Sequence, residues 1–244
     1  MSITVIGAAA VVGMLIFGLH RALALAQGPQ PGRRRAFWSI SALLLAWFLA
    51  ALQLTWLGFY RGEPSRIPTI QYGLVIPIVA GVLLFWRWPS LRRVVESLPQ
   101  EWIVSVQAYR VLGLIFLVLL AEGRLPRAFA WPAGVGDVAV GLLAPIVGLA
   151  VARHSRGSPS LLQAWNLLGI ADLVVAVTTG FLTSPSPLQM LAFDRPNDLI
   201  TRFPLAIIPV FLVPLSILLH LASLKKLAPR AFRVHSRAEA SQSA

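Results

Sequence analysis

Apolar residues fall into seven long runs along this chain, and the polar and charged positions gather in the short intervals between them. A helix needs roughly 20 apolar residues to cross a hydrocarbon core of about 30 Å. The pattern therefore predicts transmembrane α-helices over Ser2–Leu25, Phe37–Tyr60, Pro68–Trp86, Pro99–Ala121, Trp131–Ala152, Ser160–Phe181 and Phe203–Leu224. This is an all-α, polytopic membrane helix bundle with one domain over residues 1–224, in which short loops make successive helices antiparallel neighbours. The remaining stretch, 225–244, is basic and then of low complexity, and reads as a disordered tail.

Composition sharpens the picture. The 244 residues are 57% hydrophobic and 12% charged, with a mean hydropathy of +0.75. Soluble domains carry about 25% charged residues, so a soluble globular protein is excluded. There is no cysteine, which removes disulfides, thiol catalysis and iron–sulfur ligation. The net charge of +12 would suggest nucleic acid in a soluble domain. Here the cations lie in short loops and no basic stripe with interleaved aromatics stands outside the spans, so no nucleic-acid partner is expected; the lipid bilayer is.

The loop cations set the orientation. Arg21, Arg33, Arg34, Arg35, Arg87, Arg92, Arg93, Arg153, Arg156, Lys225, Lys226, Arg230, Arg233 and Arg237 share one side. Arg61, Arg66, Arg124, Arg127, Arg195 and Arg202 occupy the other, which places the N-terminus out and the C-terminus in. Ala22-Leu23-Ala24 resembles a signal-peptide cleavage site, but residues 1–20 hold no Lys or Arg, which favours an uncleaved first helix. Preference for Arg over Lys points to a GC-rich bacterial genome, and so to a multi-pass protein of the bacterial inner (plasma) membrane. A Gly/Pro-rich connector at Gln27–Gly32 joins the first two spans, residues 87–98 read as an interfacial segment, and Leu182–Arg202 reads as a solvated loop, with a lid over an outward mouth as the alternative.

Ionisable groups within a bilayer are costly and face the bundle interior. Arg110, Asp137 and Asp172 are such groups. At about 1.5 Å of rise per residue they lie roughly 16, 22 and 18 Å from the inner surface, close enough in depth to meet. Gly134, Gly141 and Gly148 form a small-residue stripe at seven-residue intervals, and Asp137 projects from it. Gly169 and Asp172 share a contact face in the same way. We therefore expect an Arg110–Asp172 ion pair with Asp137 beside it. Two carboxylates and one guanidinium leave one excess negative charge, which provides for proton coupling. The fourth and sixth spans also share a signature, Gln107-Ala108-Tyr109-Arg110-Val111-Leu112-Gly113-Leu114 against Gln163-Ala164-Trp165-Asn166-Leu167-Leu168-Gly169-Ile170. It suggests a parallel duplication of helix pairs and adds Gln107, Gln163 and Asn166 to the polar seam.

Pro77, Pro145, Pro209 and Pro214 interrupt spans 3, 5 and 7 and are candidate hinges. His20 and His220 sit near the inner ends of the first and last spans, where two touching helices could hold a haem; no other metal or cofactor is indicated. Gly134-Val135-Gly136-Asp137 matches the GxGD motif of intramembrane aspartyl proteases. In those proteins the partner aspartate precedes the motif, whereas Asp172 follows it, and their Pro-Ala-Leu element is absent. Ser216-Ile217-Leu218-Leu219-His220 echoes the SxxxH element of seven-helix zinc hydrolases without their further histidines, position 224 being Leu. Both lysines, Lys225 and Lys226, lie past the last span, so no retinal Schiff base can form. The seven-helix topology resembles small sugar transporters, but their Pro-Gln motif is missing.

These features lead us to expect binding or transport of a small solute, with proton linkage, at a polar seam between the fourth, fifth and sixth spans. An intramembrane enzyme using Asp137 and Asp172 as an acid/base pair is one alternative. A non-catalytic subunit docking a partner through its glycine stripe is the other. The absence of cysteine makes the orientation directly testable. Ser65→Cys should react with a membrane-impermeant maleimide in intact cells, and Ser155→Cys only after permeabilisation; the opposite pattern would invert the topology.

Overall fold

A computed structural model of the chain describes residues 2–25 and 32–242, with side chains described at 3–21, 32 and 34–227. The connector residues 27–31 and positions 243–244 lie outside the described residues. All regular structure among these is helical. We number the helices α1 (Ser2–Leu25), α2 (Arg33–Trp56), α3 (Ile70–Arg87), α4 (Pro89–Ser97), α5 (Gln100–Ala121), α6 (Arg127–Ala152), α7 (Ser158–Thr183) and α8, a π-helical turn at Ile208–Leu212 leading into Val213–Gln242. Seven of them, all but α4, are long and apolar enough to cross a membrane. In the tail from 225 the backbone continues as helix to Gln242, a difference from the disorder that low complexity suggests. Ala, Arg and Glu in that stretch are good helix formers.

Helix α6 is the axis of the bundle, packed along α5 on one side and α7 on the other. Its glycines explain the closeness. A Cβ at Gly141 would meet the Val111 backbone nitrogen at 2.6 Å, and one at Gly134 the Leu117 side chain at 2.7 Å. A Cβ at Gly148 would strike Ser105. The whole stripe is thus filled by α5 from within the chain. Packing is not strictly sequential: α3 lies on α8, while α2 and α3 are not principal neighbours, because Gly73 and Gly81 open α3 to Val210 and Leu218 of α8. The main apolar cluster surrounds Phe211 of the π turn, whose ring meets those of Trp47 and Phe48 at 4.6 and 5.1 Å between centroids.

Segment 87–98 forms a separate amphipathic helix, α4, laid across α1, α2 and α3. Lys226 donates to the carbonyls of Glu96 and Leu98, each at 2.6 Å, capping its C-terminal end, and Lys225 lies 4.2 Å from the Phe85 ring centre. Cations thus mark one end of the bundle, the arginine-rich end. At the opposite end, the loop after α7 is packed down at its two ends, while most of 187–196 is exposed, as expected of a solvated loop. Asn197, Ile200 and Thr201 are buried, the Asn197 N–H donates to the Thr183 carbonyl at 2.8 Å, and Gly62 N–H donates to Thr201 Oγ1 at 3.1 Å.

Helix α5 departs from regular geometry. Its middle, Val106–Gly113, is a 3-10 stretch between two α-helical ends. In a 3-10 helix positions i and i+3 eclipse. Gln107, Arg110 and Gly113 therefore stand in one row, and all three are buried. The helices run through Pro77 and Pro145 without a break, while Pro209 sits inside the π turn of α8.

The glycine contacts predict contrasting effects of one methyl group. Gly141→Ala drives a Cβ into backbone and should cost about 1–3 kcal/mol. Gly13→Ala meets nothing within 4 Å and should gain about 0.5–1 kcal/mol from helix propensity. Thermal unfolding of the purified variants in detergent would order them in that way.

Candidate functional site

Arg110 is the most connected side chain in the interior, and only 2% of it is exposed. The 3-10 row brings it between α6, α7 and α8. Its Nε donates to Asp137 Oδ1 at 2.8 Å, and its Nη2 pairs with Asp172 Oδ2. Its Nη1 donates to the Gly169 carbonyl at 3.2 Å and lies 3.1 Å from His220 Nε2. Two glycines make this approach possible. A Cβ at Gly113 would collide with the Asp137 side chain, and one at Gly169 with the His220 ring. Gly136 likewise leaves the space that Asp172 occupies.

Arginine can only donate, which settles the polarity of the neighbouring bonds. His220 Nε2 must be the bare acceptor, so Nδ1 carries the hydrogen and donates to Asn166 Oδ1 at 2.9 Å. Asn166 Nδ2 then donates to the Leu162 carbonyl at 2.8 Å and to Ser223 Oγ at 2.9 Å. Ser223 Oγ also accepts from Gln100 Nε2 at 2.7 Å. One chain of hydrogen bonds thus runs from the carboxylates to Gln100, at the arginine-rich end of α5. Beside it Tyr109 OH shares a hydrogen bond with Ser216 Oγ at 2.7 Å, and Trp165 Nε1 donates to the Val140 carbonyl at 3.1 Å.

The sequence signature of α5 and α7 is used unevenly. Arg110 and Asn166 join the same network, Tyr109 and Trp165 are both buried donors, and Gly113 and Gly169 both yield to a side chain from another helix. Gln107 is fully buried, and neither of its side-chain polar atoms has a partner among the described residues. Gln163 is exposed and lies outside the seam, a correction to its inclusion there, because α7 keeps regular α geometry and turns that position outward. The pairing of His20 with His220 is also corrected. His220 has both nitrogens engaged, and His20 is exposed against Phe37, 5.7 Å between ring centres. No cluster of three metal-ligating side chains exists among the described residues.

A narrow cavity runs from the loop end to Asp137. It is lined by Tyr60, Phe116, Phe129, Leu173, Val177 and Phe181 among others, with Asp137 on its wall. About 60 Å³ of it is accessible to the centre of a water molecule. A second void of about 20 Å³, room for one water, touches Tyr109, Arg110, Asp137 and Ser216. Four residues, Asp137, Leu173, Ile208 and Val213, line both. Burial pushes the Tyr60 phenol above its usual value, so it remains a neutral hydroxyl at the loop end.

Residues 67–228 match a family described as a domain of unknown function, DUF8737. The chain belongs to that family. The match begins just before α3 and ends just past Leu227, so it takes in every side chain of the charged cluster and its hydrogen-bonded extension. No curated protein and no solved structure matches the chain.

The network predicts an asymmetry between its members. Arg110→Leu strands two buried carboxylates and should cost about 3–5 kcal/mol, whereas Asp172→Asn leaves Arg110 paired with Asp137 and should cost less. Denaturation of the two variants would show the difference. For the wild type, nitrogen-15 NMR of His220 should report the Nδ1–H tautomer; the Nε2–H form would contradict the bond polarity described above.

Proposed function

We propose that this protein binds a small solute at the seam between α5, α6 and α7 and carries it across a bacterial plasma membrane with proton linkage. The observation that carries this reading is the pairing of Arg110 with Asp172 and with Asp137, the last of which lines a cavity. A buried charge cluster without such access is an expensive structural pin. With it, the cluster is a binding site. The positive-inside distribution of loop cations supports an N-out, C-in orientation, with the cavity then facing outward. In that frame the loop-end contact from Gly62 to Thr201 lies at the outward mouth, and the hydrogen-bonded chain through His220, Asn166, Ser223 and Gln100 leads inward.

One guanidinium and two carboxylates leave one negative charge unmatched, and a proton on either aspartate supplies the balance. Loading and release of that proton is a physical basis for coupling. Pro209 and the π turn in α8 adjoin the same cavity, which supports α8 as the element that moves. An aspartate acid/base enzyme has less support, since both carboxylates are paired with Arg110 and only Asp137 of the two lines the cavity. A partner subunit docked through the glycine stripe has less support as well, since α5 already fills that stripe.

Reconstitution tests the reading. Proteoliposomes holding the wild type, under an imposed pH gradient, should accumulate at least one member of a panel of labelled amines, amino acids, sugars and carboxylates. Asp137→Asn should lower the accumulation at least 10-fold. If no solute moves and the variant behaves like the wild type, transport at this seam is wrong.

A further inference from the structure

Resting on that reading of the seam, we infer the chemical class of its ligand. We propose that the cavity takes a compact organic ammonium ion, an alkyl- or arylalkylamine in its protonated form, whose N–H groups bind the free oxygen of Asp137.

Arg110 has its Nε and both terminal nitrogens engaged, on Asp137, Asp172, the Gly169 carbonyl and His220. His220 is neutral, because its bare Nε2 accepts from Arg110 and its Nδ1–H donates to Asn166. The cluster therefore carries a formal charge of −1 and has no cation left to receive an anion. Asp137 commits Oδ1 to Arg110, while Oδ2 accepts no hydrogen bond from the described residues. The residue is 92% buried, yet it stands on the cavity wall. Asp172 Oδ1 likewise accepts no hydrogen bond from the described residues, but of the two aspartates only Asp137 lines the cavity, which is thus offered one carboxylate of a cluster with an uncompensated negative charge.

The walls say what surrounds that acceptor. Rings of Tyr60, Phe116, Phe129 and Phe181 line the cavity, and no Lys or Arg does. Aromatic faces carry a negative quadrupole that attracts cations, the more so where water is excluded. The other walls are aliphatic, among them Leu173, Val177, Ile208 and Val213. Polar side chains on the walls are few: besides Asp137 and Tyr60 they are Ser184 and Thr201, towards the loop end. A sugar would leave most of its hydroxyls without partners in such a space. A carboxylate or phosphate would face a like charge. A short apolar body ending in one ammonium satisfies both the walls and the acceptor.

The same geometry makes the ammonium and a proton rivals. Either one matches the single unpaired negative charge of the cluster, whichever aspartate holds the proton, so binding of one disfavours the other. The titratable and charged groups around the Asp137 carboxyl are Arg110 and Tyr109 from α5 and Asp172 from α7, with His220 of α8 behind Arg110 and Tyr60 at the loop end of the same cavity. Binding of the amine should then release a proton from the cluster, which is the exchange that a proton-linked amine carrier requires.

The test is calorimetric titration of the full-length protein in nanodiscs with phenethylammonium and n-butylammonium, against butyrate and n-pentanol as anionic and neutral counterparts. Both ammonium ions should bind saturably, and neither counterpart should. Repeating the titration in buffers of different ionisation enthalpy should show close to one proton released per amine. Asp137→Asn, which keeps the size of the side chain and the Arg110–Asp172 pair, should weaken binding at least 10-fold. Val177→Trp fills the cavity without touching a charge and should abolish binding while the protein still unfolds at a temperature near that of the wild type. The inference is overturned if the ammonium ions do not bind the wild type, if butyrate or pentanol binds equally well, or if either variant binds like the wild type. Absence of amine binding alongside Asp137-dependent uptake of another solute would overturn the ligand class and leave the transport reading standing. Asp137-dependent amine binding with no movement of any solute would support the ligand class and sink the transport reading.

Discussion

A guanidinium withdrawn from water must find an acceptor for each of its N–H groups, and that demand ties four helices of this chain to one point. Arg110 draws on Asp137 of α6, on Asp172 and the Gly169 carbonyl of α7, and on His220 of α8. Each partner is brought within reach by a missing side chain: Gly113 makes room for Asp137, Gly136 for Asp172, and Gly169 for His220. An alanine at any of these positions would force the facing side chain to shift. In an apolar surrounding an unmet charge is far more costly than an unmade contact between hydrocarbons. The close packing of α5, α6 and α7 and the charge cluster are therefore one device.

The device is lopsided. On the arginine-rich side it is continued by neutral side chains whose bond polarities all follow from arginine being a donor, from His220 through Asn166 and Ser223 to Gln100. On the loop side it ends at a carboxyl on the wall of an aromatic-lined space, with the packed loop at the far end. Polar continuity on one side and an apolar approach on the other give the two ends of the bundle different chemistry at the same buried charge. That asymmetry is what a site alternately reached from two faces would use.

Periodicity made much of this legible. The spacing of Asp137 from Gly134 and Gly141 placed that carboxylate on a helix contact, and rise per residue put Arg110, Asp137 and Asp172 at comparable depths; the structure brings the three together. Other parts were not legible. Ser223 and Gln100 carry no pattern of their own, and they become partners only because α8 crosses α5 and α7 at that level. His220 read as a ligand candidate because a lone histidine announces chemistry, yet its neighbours hold both nitrogens. Gln163 followed from the signature it shares with Gln107, and fails because the 3-10 geometry that turns Gln107 inward is absent from α7. A run of residues does not reveal whether its turns hold 3.0 or 3.6 residues, since the difference comes from packing.

Taken alone, the order of residues determined the quantities that depend on local summation: seven apolar lengths matched to a hydrocarbon thickness, the asymmetry of loop cations, and the faces on which small and charged side chains recur. Each follows from transfer energies and helical repeat, which need no knowledge of neighbours. Tertiary structure alone decided which helices meet, that α3 would lie on α8 instead of α2, that the two ends of the loop after α7 would be buried, and that Asp137 would stand on a cavity wall. Those outcomes depend on steric fit between residues more than a hundred positions apart, such as Gly81 with Leu218 and Gly62 with Thr201. Close packing selects among such fits by fractions of an ångström, and no one-dimensional pattern carries that information.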